Sequence, residues 1–581
     1  MHLAHGPVLV FIALSTPTVA QHVEVESFVL DNGMEFLLVE RTEQPNSIAA
    51  GWVAKVGSVN ERPGITGISH FFEHMMFKGT RTIGTRDADL DAEYIAGQEA
   101  IKGQLNELIW TVQYQRFRRG EIDDPWNAAN DTDQMRTLRA ELRELAERHR
   151  DIIVKDEYSE VYTKLGGSSM NAFTSEDLTF YFVNVPSNKF ELWAWMESDR
   201  LYDSVFREFY AERDVVHEER RLRTESTPTG KFREQFNAMF WQSSPYAWPV
   251  IGWPSDLNSY TRKEAQRYFN IYYRPNNLVG VVVGDFQAAA IKPIIREYFG
   301  RLSRGETNPP AVVTLEVEQR AQMRMDAQCD CQPQVEVRYH TVPFGHVDSF
   351  ALELMAEVLN GRTGRLYKAM VEGKEIASSA SAGADGRKYA GAFSFRAQVK
   401  GDADPPQLEE AWYEQLARLQ EEPVPQRELQ KVKNRIAANA YRRLQSNFFL
   451  LIQLGLFEGL GGWEYINESP AKLQAVTTDD ITRIANTYFD KSNCAVALYT
   501  RKAGLEPQDA ELAALDAPTR DRVQQQVNQL LKVKDLGRLQ MMAAMMEGMM
   551  DQVPPDDQAA VKYLVKKIKE RIAELESSSG N

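Results

Sequence analysis

The chain has 581 residues, 43% of them hydrophobic and 26% charged, with a formal net charge of -15. That length exceeds one hydrophobic core, so at least two domains are expected, and the balance excludes a disordered or fibrous chain. The acidic surplus repels phosphate backbones and anionic lipid, which sets nucleic acid and membrane surfaces aside as partners.

Val8 to Leu14 (VLVFIAL) is a short apolar run, and Thr18-Val19-Ala20 offers small residues before Gln21. This reads as a signal peptide over residues 1–20, so export to a periplasm or the exterior is expected. No later apolar run is long enough to span a bilayer. Leu30 to Phe36 (LDNGMEF) predicts a hairpin turning on Asn32-Gly33. Ile48 to Val56 predicts an apolar strand, after which helix and strand signals alternate, giving a mixed α and β class.

His70-Phe71-Phe72-Glu73-His74 comes next. Residues four apart on a helix share a face, so His70 and His74 project together and suit one metal ion. Glu73 borders that face and is placed to take a proton from water. The pattern is the two-histidine zinc helix with its order reversed. Zinc needs a third protein ligand and an open position. Ala211 to Glu219 (AERDVVHEE) contains His217, Glu218 and Glu219, and residue type alone leaves all three as candidates.

Between these segments, residues 87–164 have a charged, helix-prone texture broken by GEIDDPWNAANDT, which predicts an inserted helical hairpin. Ser169-Met170-Asn171-Ala172-Phe173-Thr174 then precedes an alternating strand, Leu178 to Val185. Phe173 and Ser175 read simply as part of a turn before it. Thr261 to Val281 is echoed by Thr477 to Ala497 at a constant offset, with Thr261, Arg267, Asn270, Tyr272 and Asn277 each repeated. Such an echo predicts two homologous domains, and Pro309-Pro310 marks the linker between them. Cys329 and Cys331 stand too close in sequence for an unstrained bridge, Cys494 reads as an inert core thiol, and no function is assigned to any of them. The tail from residue 506 is helical. Its methionines (541, 542, 545, 546, 549 and 550) recur at helical spacing, which suits copper(I) or hydrophobic packing; packing is the expectation.

GISHFFEHMMFKGT resembles the active-site helix of the pitrilysin and insulysin family of inverted-motif zinc peptidases, and the likeness runs from about Val25 to Arg501. It implies Glu73 as catalytic base, His70, His74 and Glu219 as ligands of one zinc, and Glu212, seven residues before Glu219, as a further catalytic carboxylate orienting them. It makes Asn171 and Ala172 substrate-binding residues beside a cleft where peptide adds as a β-strand. The implied fold is α+β: two homologous domains, each an antiparallel-rich sheet with helices on one side, plus the helical insertion and helical tail. Residues 21–305 would be catalytic, 311–505 the second domain and 506–581 the tail. Substrates would be peptides or unfolded proteins. Short members close their cleft by pairing chains, so a homodimer or a heterodimer with a related chain is expected. One feature departs from the family: where active relatives carry an Arg and a Tyr seven apart in the second domain, this chain has Val371 and Ser378. Rival readings are a binding subunit without activity and a zinc amidase acting on small substrates.

Overall fold

The structure is a computed structural model that describes residues 22–502 and most of 510–578. The expected signal peptide lies outside the described residues. Two compact units result, one running to Ala327 and resuming over Pro333–Thr500, the other made of Gln328–Gln332 and the chain from Arg501 on.

In the larger unit the first half forms a six-stranded sheet among the described residues. Its strands are β1 (Glu26–Val29), β2 (Glu35–Glu40), β3 (Ile48–Ala54), β4 (Ser168–Thr174), β5 (Thr179–Val185) and β6 (Leu278–Gly284), in the order β1-β2-β6-β3-β5-β4. Every neighbouring pair is antiparallel except β2 with β6. β3 and β6 are buried along their whole length, as central strands covered on both faces must be, and their sequences are correspondingly apolar throughout. The predicted hairpin is the β1–β2 turn, where Gly33 takes a φ of 90° and the Asn32 side chain accepts from Met34 N at 3.1 Å.

The second half forms a sheet ordered β7-β11-β8-β10-β9, from β7 (Met323–Cys329), β8 (Gln334–Thr341), β9 (Ala377–Gly386), β10 (Gly391–Val399) and β11 (Cys494–Arg501). The sequence echo has a local physical basis. Thr261 and Thr477 each cap a helix through a reciprocal capping box, with Glu264 and Asp480 respectively. Asn277 and Asn493 each donate from the side-chain amide to the carbonyl five residues back, Tyr272 at 2.9 Å and Tyr488 at 2.8 Å, and each leads into a buried strand.

Helices of the first half cover one face of its sheet, their Phe71, Phe72, Trp193 and Phe299 joining Trp52 of β3 in one core. The opposite face is covered by the helix Asn447–Leu460 from the second half, whose Leu450, Leu451 and Leu454 join Val53, Phe180, Val281 and Val283 in one core. The region 87–164 contains the helices Ala88–Leu108, Asp133–Arg150 and Glu157–Lys164.

The smaller unit packs the helices Ala517–Leu530, Leu536–Gly548 and Gln558–Ser578 around Val523, Leu539, Tyr563 and Ile568. Met542 and Met546 pack against that core while Met541 and Met545 face outward; Met549 lies outside the described residues. Cys329 and Cys331 form a disulfide despite their closeness in sequence, because the bend at Asp330 brings their Cα atoms within 5.2 Å. Cys494 is free and buried. No helix among the described residues is long and apolar enough to cross a membrane.

Candidate active site

The helix Ile68–Met75 is amphipathic by composition. Ile68, Phe71, Phe72 and Met75 sit at the 3–4 residue spacing of one face and are fully buried, while His70, Glu73 and His74 fall on the other. Its start is fixed from outside. Gly67 has a φ of 87°, and a Cβ there would stand 2.5 Å from the Ile251 carbonyl oxygen, so only glycine fits. The buried Glu61 carboxylate accepts from Gly67 N at 2.7 Å and Ser69 N at 2.8 Å, satisfying two of the amides a helix start leaves free.

The helix Phe209–Arg220 brings up the acidic partners. Glu212 and Glu219 are two turns apart and face the same side. His70, His74 and Glu219 offer ligand atoms that all lie within 4.8 Å of one another. Glu219 Oε2 stands 3.3 Å from His74 Nε2 and 3.6 Å from His70 Nε2. Ligand bonds of about 2.0–2.1 Å around a tetrahedral zinc put donors roughly 3.3 Å apart, so the spacing fits one ion. Glu219 Oε2 is buried and has no hydrogen-bond partner, whereas its Oε1 is held by Arg223 at 2.6 Å. One oxygen is anchored and the other is left for a ligand bond.

Protonation also suits a metal. Burial lowers the pKa of His70 to about 3, so the ring is neutral. Burial pushes His74 the same way, but the hydrogen bond from Nδ1 to Glu212 at 2.8 Å, with the charges of Glu212, Glu219 and Glu73, wins and raises it. That bond also selects the tautomer with a free lone pair on Nε2. Glu212 is held below the usual carboxylate range: burial opposes this, and the contacts with His74 and with Lys78, whose Nζ lies 2.5 Å away, overcome it. Glu73 sits higher than an ordinary glutamate because burial outweighs the hydrogen bond its Oε2 accepts from Thr174 Oγ1 at 2.7 Å.

The remaining candidates fall elsewhere. Burial holds the His217 ring below its ordinary pKa, Glu218 pairs with Arg221 at 2.8 Å, and neither joins the cluster. Asn171 and Ala172 lie on β4, the outermost strand, which pairs only with β5 among the described residues. Asn171 is exposed and Ala172 buried. Val371 is half-buried and Ser378 exposed. Sequence reasoning missed Thr174, Lys78 and Arg223. Each was signalled by spacing: Thr174 shares a strand face with Ala172, Lys78 follows His74 by one helical turn, and Arg223 follows Glu219 likewise.

Comparison with known proteins bears on the family and the fold. The family described as Insulinase (Peptidase family M16) matches residues 36–113, and the Peptidase M16 inactive domain matches residues 259–436. A zinc protease of Helicobacter pylori, PqqE, is 25% identical over 476 residues, spanning 80% of this chain and 90% of its own. An uncharacterized zinc protease of Bacillus subtilis, YmxG, is 22% identical over 472 residues, spanning 80% and 96%. In fold, a protease from Helicobacter pylori superposes with a TM-score of 0.67 at 22% identity, covering 82% of this chain and 99% of that one. The periplasmic protease PqqL from Escherichia coli gives 0.60 at 16% identity, covering 87% and 50%.

Proposed function

The chain belongs to the insulinase family of peptidases, M16, and on that premise we propose that it is a zinc-dependent endopeptidase acting on extended peptides. The observation that carries the reading is the convergence of His70, His74 and Glu219 on one point, with the unpartnered Glu219 Oε2 facing both imidazoles. These three residues would hold one zinc per chain, which supplies Lewis-acid polarisation of the scissile carbonyl and lowers the pKa of a water toward neutrality.

The protein's own groups do the rest. Glu73, its carboxyl raised toward neutral pH by burial, accepts the water's proton and returns it to the departing amine nitrogen. Thr174 holds one Glu73 oxygen, leaving the other to work. Glu212 fixes the His74 ring, and Lys78 fixes Glu212. Substrate adds to the free edge of β4 beside Asn171 and Ala172, its backbone pairing with theirs. Residues 21–305 form the catalytic domain, 311–505 a non-catalytic homologue and 506–581 a helical appendage. The chain is exported after loss of residues 1–20 and works as a dimer or with a related chain.

The test is to incubate the mature chain and a Glu73→Gln variant with unstructured peptides, read products by mass spectrometry and assay zinc in both. Cleavage by the wild type alone, with zinc in both, is the expected result. No cleavage by a zinc-loaded wild type would overturn independent activity. With Val371 and Ser378 in the second half, it would favour a partner-dependent subunit.

A further inference from the structure

A cavity of about 310 Å³ opens directly beside Glu73, His74 and Asn171. Its far wall is Ile153 to Tyr158, the turn leading into the last helix of the helical insertion. Those residues lie outside both segments matched by the family.

The wall is built into the structure. Val154 N donates to Gly84 O at 3.1 Å and Arg86 N to Ile152 O at 2.9 Å, stitching the insertion to the loop after the active-site helix. Gly84 N donates to Glu157 Oε2 at 2.5 Å, and the Tyr158 hydroxyl donates to Glu197 Oε1 at 3.0 Å. Arg207 clasps Asp91 of the insertion and the carbonyls of Lys78, Thr80 and Ile83. Ile153, Val154, Phe77 and Tyr158 supply apolar sides. The charges are unequal: Glu73, Asp156, Glu157, Glu208 and Glu212 face Lys78, Lys155 and Arg207. Arg207 is already neutralised by Asp91, and Lys78 is divided between Glu212 at 2.5 Å and Glu208 at 3.6 Å, leaving Asp156, Glu157 and the part-paired Glu208 against Lys155 at the rim.

We propose that this insertion-walled cavity is a specificity pocket for a lysine or arginine side chain next to the scissile bond, its aliphatic stem lying along Phe77, Ile153 and Val154 and its cation meeting Asp156, Glu157 and Glu208. The inference rests on the peptidase reading for its setting, but the pocket's preference is measurable without turnover.

Two peptides differing only in lysine against norleucine at the residue flanking the cut isolate the cation at nearly constant shape. The wild type is expected to favour lysine by about tenfold in kcat/KM, a discrimination within reach of one desolvated charge contact. Asp156 has a φ of 57°, which asparagine also tolerates, so Asp156→Asn removes charge without straining the backbone. Combined with Glu208→Gln it should bring the ratio close to one. The same pair is measured as binding to the inactive Glu73→Gln protein by fluorescence anisotropy. Equal or reversed preference in the binding assay, or a ratio untouched by the double variant, overturns the pocket. Loss of cleavage with lysine-selective binding retained would sink the peptidase reading and leave the pocket standing.

Discussion

Glu212 touches His74 on one side and Lys78 on the other, so its effect on a metal runs through the imidazole it orients. Carboxylates in this position typically matter about 10–100-fold in metal affinity, and Glu212→Ala should weaken zinc by that factor in a chelator competition. The pH dependence follows from the same bond. His74 is the ring held above its ordinary pKa, and a metal must displace its proton. Zinc affinity therefore rises with pH until His74 is neutral and is flat above that point. His70, at about 3, adds no slope near neutrality. In Glu212→Ala the slope should move to lower pH; an unmoved slope in the zinc titration would mean the Glu212 bond does not set this proton. At this scale the sequence was informative where chemistry is local. His70, Glu73 and His74 share one short helix, and spacing alone brought them together. Among His217, Glu218 and Glu219, residue type decided nothing and the family resemblance pointed to Glu219; the physical reason lies in the geometry, because three adjacent donors differ only in the direction their helix gives them.

Elements built from polar sequence were harder to read. The insertion's helices show in composition, yet nothing in their pattern marks Asp91, Gln98, Lys102 and His149 as buried. They are buried because the insertion packs against Arg207 and Tyr210, contacts that no helical periodicity encodes. His149 bonds both Asp91 at 2.6 Å and Gln98 at 3.1 Å, and Asp91 also holds Arg207. Lys102 is less well served: its ammonium lies over the Tyr210 ring at 5.1 Å, and burial lowers its pKa to about 7, with the nearby Arg213 and Arg139 adding to the effect. A lysine depressed in the folded state costs nothing above its unfolded pKa of about 10.4, and the cost grows as pH falls to the folded value. Lys102→Met should therefore stabilise the protein at pH 7, by on the order of 1–3 kcal/mol, with the gain shrinking toward pH 10. Urea unfolding at the two pH values decides it, and a gain independent of pH would show that packing rather than charge was at issue.

Across the larger unit, the two halves are joined by more than the 309–310 linker. The helix Asn447–Leu460 leaves the second half and lies against β3 and β6 of the first, where its leucines complete the core on that sheet's outer face. Its sequence, NFFLLIQLGLFEGL, announces a buried helix; which sheet it buries against is a long-range fact that no local pattern carries. The approach is close at Gly455, where a Cβ would stand 2.4 Å from the Phe180 ring. Gly455→Val forces helix and sheet apart, and overpacking of this kind costs about 1–3 kcal/mol. If the shared core couples the halves, backbone amides of β8 and β10 in the second sheet should exchange faster in the variant along with those of β3 and β6, because both open in the same cooperative event. Faster exchange confined to β3 and β6 would mean that each half keeps its own stability. The first sheet could then loosen without the second half following, and the candidate metal site packed against it would answer to local opening alone.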